Sequence, residues 1–258
     1  LGVQPLGDGP VDCPQKSPEQ KALVDRWQNF ARDLKEPAAL TEVQAKEIVA
    51  AYGITLPVEQ VAGNVEEAVN AAAAIGYPVV LKAVTRDITH KSDAGLVITG
   101  LSGPEAVRDA AGLVILRCQE AGARLDGILV AQHVAGGTEM VLGIQRDPEM
   151  GPVVMAGMGG VWLEIFKDVA FAMPGVHAAG ALKAIAETRA WQLLQGYRGT
   201  KPADVEAYAC AMAALGRLAI DFGSCLESVD LNPVLVRDAG QGAIALDALV
   251  VLRPPENR

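Results

Sequence analysis

The sequence predicts an α/β chain organised as two α+β lobes. Two observations lead there. Apolar residues recur at helical spacing in some segments and as short β-branched runs in others, and the order of these segments changes between the halves. Half of the 258 residues are hydrophobic and only 4% are aromatic, so the cores must be packed mainly with Ala, Val, Leu and Ile.

Residues 1–18 are rich in Pro and Gly without periodicity and read as an arm or linker; with no initiator Met, a fragment or processed chain is expected. A charged helix is expected at residues 19–35. Thr41 is the expected N-cap of the next, with Ala45, Ile48, Val49 and Tyr52 at i, i+3, i+4 and i+7 and Gly53 as its stop. A strand is expected at 54–58. Asn64 with Glu67 resembles a capping box for a helix with Val65, Ala68, Val69 and Ala72 on its apolar stripe, closed by Gly76. Strands are expected at 78–84 and 96–101, and a helix at 104–121.

The second half reads differently. Short apolar strands at 127–132, 140–145, 152–156 and 161–165, separated by glycine-rich turns, suggest an antiparallel meander. Helices follow at 178–194 and 204–221, then strands at 228–236 and 242–251. The expected division is a connector or subunit arm at 1–40, an N-terminal lobe at 41–124 and a C-terminal lobe at 125–258. Two lobes offer a place to hold a ligand.

Composition narrows the function. A formal net charge of −9, with no Lys/Arg cluster, disfavours nucleic acid but not a nucleotide that arrives with Mg²⁺. The four cysteines (Cys13, Cys118, Cys210, Cys225) are dispersed, which argues against a zinc site or disulfide framework and for a reducing cytoplasm. No apolar run reaches the roughly 20 residues of a membrane span, so no membrane role is expected.

Several residues carry possible chemistry. Lys82 shares a strand face with Val80 and Val84, where a charge needs an anion such as phosphate, unless the strand lies at an edge and the lysine reaches solvent. Eight residues on, Thr89-His90-Lys91-Ser92-Asp93 places an imidazole in polar company. Imidazole is a competent phosphoryl acceptor, and Asp93 or another carboxylate can orient the ring; a structural histidine is the alternative. Glu139 follows a Gly-Gly turn and either meets a ribose or decorates a hairpin. Gly157-Met-Gly-Gly160 allows close backbone approach or simply makes a turn. Asp230, Asn232 and Asp247 bring hard oxygens suited to Mg²⁺; an Asx turn before Pro233 is the alternative for this segment.

Taken in order, several segments resemble the ATP-grasp domain of NDP-forming acyl-CoA synthetases, the family of ADP-forming acetyl-CoA synthetase, related to succinyl-CoA synthetase. They are Glu42-Val-Gln-Ala-Lys46, Tyr52-Gly-Ile, Gly76-Tyr-Pro-Val-Val-Leu-Lys82, His90-Lys-Ser-Asp93, Arg146-Asp-Pro, Gly157-Met-Gly-Gly160 with Glu164, Lys167-Asp168, Leu193-Leu-Gln-Gly-Tyr-Arg-Gly199 and Asp230-Leu-Asn-Pro233. The resemblance runs from about residue 40 to residue 252. It implies an ATP-grasp fold, two lobes clasping ATP, with adenine near Val130, Gln132 and Val134, phosphate on Lys82, ribose on Glu139, and Mg²⁺ on Asn232 and Asp247. His90 matches the phosphoryl-accepting histidine. Asp230 matches an acidic position that holds it, and Glu164 joins these two in the implied catalytic set.

The resemblance further implies a β-type subunit or a piece of a longer synthetase, working in the cytoplasm with a CoA-binding, CoA-ligase partner in a hetero-oligomer or fused chain. The overall reaction would join a carboxylic acid to CoA at the expense of ATP. The alternatives are a synthetase-like regulatory module of a protein acetyltransferase, or a relative with lyase-type chemistry. The sequence departs from the family pattern at Ala94-Gly95-Leu96, at Ala172-Met173-Pro174 and at Leu249.

Overall fold

A computed structural model describes residues 16–88, 91–159, 168–197 and 199–255. The chain divides into two compact units. The smaller comprises Leu40–Gln44 and Leu56–Gly136; the larger comprises the described residues up to Ala39, Ala45–Thr55 and those from Gly137 onward. The division therefore falls at 136/137, later than the 124/125 expected from the sequence.

The described part of the presumed arm belongs to the larger unit. It contains α1 (Pro18–Arg32), capped by the Ser17 hydroxyl, and the two-residue strand β1 (Ala38–Ala39). Val24, Trp27 and Ala31 of α1 are buried, and the Gln28 side-chain amide donates to the Asp221 carbonyl at 2.8 Å.

α2 (Glu42–Ala51) begins with a reciprocal capping box. The Gln44 N–H donates to Thr41 Oγ1, and the Thr41 N–H donates to Gln44 Oε1 at 3.0 Å. The expected stripe of Ala45, Ile48, Val49 and Tyr52 is buried. Residues 54–58 form no strand: Pro57 lacks an N–H to donate, and only Thr55 makes an isolated bridge, to Ile244. The strand comes later, as β2 (Glu59–Ala62). Its polar sequence suits the edge that it occupies.

In the smaller unit, β2 is followed by α3 (Val65–Ile75), β3 (Val79–Val84), β4 (Val97–Leu101), α4 (Pro104–Glu120) and β5 (Gly127–Gln132). The sheet order is β2-β5-β3-β4, all antiparallel. Because β5 pairs with both β2 and β3, it cannot belong to a later lobe, which is why the division moves. α3 and α4 pack their alanines and valines on Val79, Leu81, Ile128 and Val130. That leaves the opposite face of β3 to Val80, Lys82 and Val84.

The larger unit contains β6 (Thr138–Asp147), β7 (Gly151–Met158), β8 (Val169–Ala172), α5 (Ala178–Ala186), α6 (Trp191–Leu194), α7 (Val205–Phe222), β9 (Leu226–Val236), β10 (Ala243–Ala245) and β11 (Leu249–Leu252). Its sheet runs β1-β11-β9-β6-β7-β8, with β10 also paired to β9. Of the expected meander only β6 and β7 pair as foreseen: its first strand, β5, belongs to the smaller unit's sheet, the unforeseen β8 lies beside β7, and β9 returns to the far side of β6. The strand expected at 161–165 lies outside the described residues.

Two expected elements are broken. The helix foreseen at 178–194 stops at Ala186 and restarts as α6, because the Asp168 carboxylate takes the N–H groups of Arg189 and Ala190, each at 2.9 Å. The strand foreseen at 242–251 becomes β10 and β11, with Asp247 in the interruption. Between sheet and helix, buried Tyr208 of α7 donates its hydroxyl to the Val141 carbonyl at 2.6 Å. Among the described residues, no helix is long and apolar enough to cross a membrane.

Candidate functional site

Lys82 lies on a central strand, not an edge, and is 7% exposed. Solvent therefore does not answer its charge; Glu42 does. Lys82 Nζ donates to Glu42 Oε1 at 2.7 Å, and Lys91 Nζ donates to Glu42 Oε2 at 3.1 Å. The Glu42 side chain is 1% exposed. A buried carboxylate bonded to two ammoniums escapes the desolvation cost that would fall on it alone. The sequence by itself assigns no role to Glu42 or Lys91. A signal is nevertheless present: Glu42 and Lys46 fall at i and i+4 on the stripe of α2 that also carries Ala45 and Val49, and both are buried.

The chain after His90 is tied to β3 through backbone bonds. The Leu96 N–H donates to the Lys91 carbonyl at 2.8 Å, and the Leu96 carbonyl accepts the Ala83 N–H at 3.0 Å. Arg117 donates to the Gly95 carbonyl, and Gly95 has φ +65°, with Arg117 where a Cβ would stand. Asp93 is exposed. His90 lies outside the described residues, as does Glu164.

The presumed adenine residues are disposed differently from one another. Val130 is paired opposite Leu81 and fully buried in the core under α3 and α4, so its side chain cannot meet a ligand. Gln132, opposite Val79, lies on that same face, away from Lys82, but is exposed at the strand end; Val134 follows the strand and is half-buried. The family resemblance assigns Val130 and Lys82 to one nucleotide, whereas antiparallel pairing puts their side chains on opposite faces.

In the larger unit, Asp230 lies opposite Gly143, and Glu139 lies opposite Leu235. A bulge in β9 between these pairs leaves β6 regular, so Glu139, Gly143 and Asp230 share one sheet face. Asn232 follows Asp230 by two residues on β9. Asp247 sits two residues before Leu249, which pairs with Asp230. Asp247, expected within a strand, is instead half-buried in the break between β10 and β11, and its Oδ1 accepts the Ala248 N–H at 2.8 Å.

Asp230 is exposed as a residue, yet partial burial of its carboxyl, followed by the nearby Asp247 charge, raises it above the usual carboxylate range. Two mutually repelling carboxylates, with Asn232 two residues along β9 from one of them, offer hard oxygens of the kind that suits a small divalent cation. Among the described residues, no three His, Cys, Asp or Glu side chains form a metal cage. A cation here would complete its shell with water or substrate oxygens.

Other singled-out segments have structural roles. Arg146 donates to the carbonyls of Leu226 and Gly223 at 3.0 and 2.8 Å, while Asp147 accepts the N–H groups of Glu149 and Met150 in the β6-β7 turn. Gly157 is not a turn residue. It lies within β7, where a Cβ would stand 2.5 Å from the Asp168 carbonyl oxygen.

Residues 34–252 match a family described as ATP-grasp domain. The chain belongs to the ATP-grasp family. Its fold is correspondingly the ATP-grasp fold, matched by a solved structure of a Korarchaeum cryptofilum dinucleotide-forming acetyl-coenzyme A synthetase in complex with coenzyme A and Ca-AMPCP. That chain is 36% identical, with a TM-score of 0.82 over 91% of this chain and 100% of that one.

Among characterised relatives of this ATP-grasp chain, the beta subunit of acetate–CoA ligase (ADP-forming) I from Pyrococcus furiosus is 39% identical over 86% of this chain and 97% of that subunit. Trans-feruloyl-CoA synthase of an unknown prokaryotic organism is 43% identical over 82% of this chain. The chain spans 30% of that synthase's length, and thus corresponds to one portion of it.

Proposed function

We propose that this chain is the nucleotide-binding, phosphoryl-transferring part of an ADP-forming acyl-CoA synthetase. The observation that carries the reading is its correspondence with nearly the whole of the Pyrococcus beta subunit. A buried lysine pair in one unit and a hard-oxygen cluster in the other supply chemistry of the required kind.

In this reading, Lys82 holds nucleotide phosphate, Glu139 the ribose and Gln132 with Val134 the base; at Val130 only the main chain is left for that task. Asp230, Asn232 and Asp247 would hold Mg²⁺, which would offset phosphate charge when bound. The His90 imidazole nitrogen attacks the γ-phosphorus: the N–P bond forms, the bond to the β–γ bridging oxygen breaks, and ADP leaves with that electron pair. Asp230 and Glu164 orient or stabilise the imidazole. A CoA-binding, α-type partner domain then takes the phosphoryl group, uses it to make an acyl phosphate from a carboxylic acid, and exchanges phosphate for the thiol of CoA. The cytoplasm, which supplies ATP and CoA, is the corresponding location.

The test is incubation with γ-labelled ATP and Mg²⁺, alone and with the CoA-binding partner. Acid-labile, base-stable label that disappears in His90→Ala is expected. Absence of label under both conditions, or undiminished label in His90→Ala, overturns the proposal.

A further inference from the structure

In the sequence, Lys91 stands out only as a neighbour of His90, and Glu42 only as part of a longer segment. Their geometry carries more. One carboxylate, 1% exposed, is bonded through its two oxygens to two different ammoniums. The side chains of Lys82 and Lys91 are themselves only 9% and 12% exposed. The two oxygens of one carboxylate are close neighbours, so Lys82 and Lys91 present adjacent positive charge. The formal charge of the three side chains is +1, the sign that attracts a phosphoryl group.

The backbone supports the same spacing. Lys82 belongs to β3, and Leu96 joins β3 to Lys91 by accepting from the Ala83 N–H and donating to the Lys91 carbonyl. Lys91 is thus set relative to Lys82 by main-chain bonds as well as by Glu42. Without Glu42, the two ammoniums would repel and their flexible stems would choose other rotamers. The bond to Glu42 engages one N–H donor of each ammonium and so fixes the direction in which that ammonium is held.

We propose that Lys91 is a second phosphate-contacting cation, and that Glu42 is the positioning residue that holds Lys82 and Lys91 as a two-pronged phosphate clamp. This inference rests on the reading that Lys82 meets a nucleotide phosphate. It goes further by assigning the ligand's charge to two lysines and their spacing to one glutamate.

The experiment measures binding of Mg²⁺ with a β,γ-methylene analogue of ATP to the full 258-residue chain by calorimetry, with unfolding midpoints recorded in parallel. Glu42→Gln and Lys91→Met are each expected to weaken binding about tenfold or more in protein that remains folded. The double variant should be no weaker than the worse single one, because a clamp without its positioning residue has already lost its second prong. Glu42→Asp should recover part of the affinity, a response that a purely structural role would not produce.

Wild-type affinity in Lys91→Met, or additive losses in the double variant, overturns the inference. Should Glu42→Gln fail to fold, Lys91→Met alone decides it. The two levels separate cleanly. Loss of binding in Lys82→Met with normal binding in Lys91→Met leaves the nucleotide function standing and removes the clamp, whereas no binding by the wild type removes both.

Discussion

Asp168 and Ala190 are joined by a hydrogen bond from the Ala190 N–H to the Asp168 carboxylate at 2.9 Å, beside a second from Arg189 at the same distance. Together they start α6 where the sequence predicts an uninterrupted helix. Asp168→Ala should therefore cost about 1–2 kcal/mol, the range for losing a side chain that caps a helix start. Asp168→Asn, which keeps one acceptor oxygen, should cost less. Urea unfolding of the three proteins checks the order; equal midpoints for all three would contradict it.

Gly157 makes room for its neighbour rather than a turn. A Cβ there would stand 2.5 Å from the Asp168 carbonyl oxygen and 2.8 Å from Val169 Cγ1, and backbone cannot yield as a side chain does. Gly157→Ala should destabilise by about 1–3 kcal/mol, as overpacking does. The same change at Gly112, where nothing lies within 4 Å of the methyl group that alanine would add, should be neutral or stabilising, since alanine favours the interior of α4. Thermal unfolding distinguishes them.

The Lys82, Glu42 and Lys91 bonds predict an order of stabilities. Glu42→Ala leaves two buried ammoniums without their shared carboxylate and should cost about 3–5 kcal/mol. Lys82→Met leaves Glu42 bonded to Lys91 and should cost about 1–3 kcal/mol. Chemical denaturation of both variants reads the difference; a larger loss in Lys82→Met would show that the carboxylate is not the centre of the cluster.

Asp230 has a raised carboxyl pKa, so the folded state binds this proton more tightly than the unfolded chain does. Its contribution to metal-free stability is present at low pH and is lost as pH rises through the raised value. Asp230→Asn should consequently leave the metal-free unfolding midpoint at about pH 7 no lower than that of the wild type. Cation binding has the opposite sign, because a proton on Asp230 excludes the metal. Mg²⁺-dependent nucleotide binding should weaken as pH falls towards the raised value in the wild type, and should be weak with a flatter pH profile in Asp230→Asn. Calorimetry between about pH 5.5 and 8 measures both, and a wild-type profile that strengthens on acidification would be incompatible with a ligand role for Asp230.

Much of the chain is readable because its signals are local. The Thr41 and Asn64 caps, the buried stripe of α2 and the ends at Gly53 and Gly76 depend on neighbours within one or two turns, and they stand as the pattern predicts. The ordered segments also carry the family resemblance, and with it the ATP-grasp fold. What the residues alone leave open are the questions that need a partner distant in sequence. Lys82 reads as a strand charge awaiting an anion, but only the fold brings Glu42, 40 residues away, to 2.7 Å. Alternation assigns faces within each strand but not which face of one strand meets which face of the next, so the resemblance assigns Val130 and Lys82 to one nucleotide although pairing separates their side chains. In the same way, Asp168 divides a helix 21 residues later through a carboxylate that no helical periodicity registers. Local capping and hydrophobic spacing are written along the chain; desolvation, strand register and long-range hydrogen bonds exist only once it has folded.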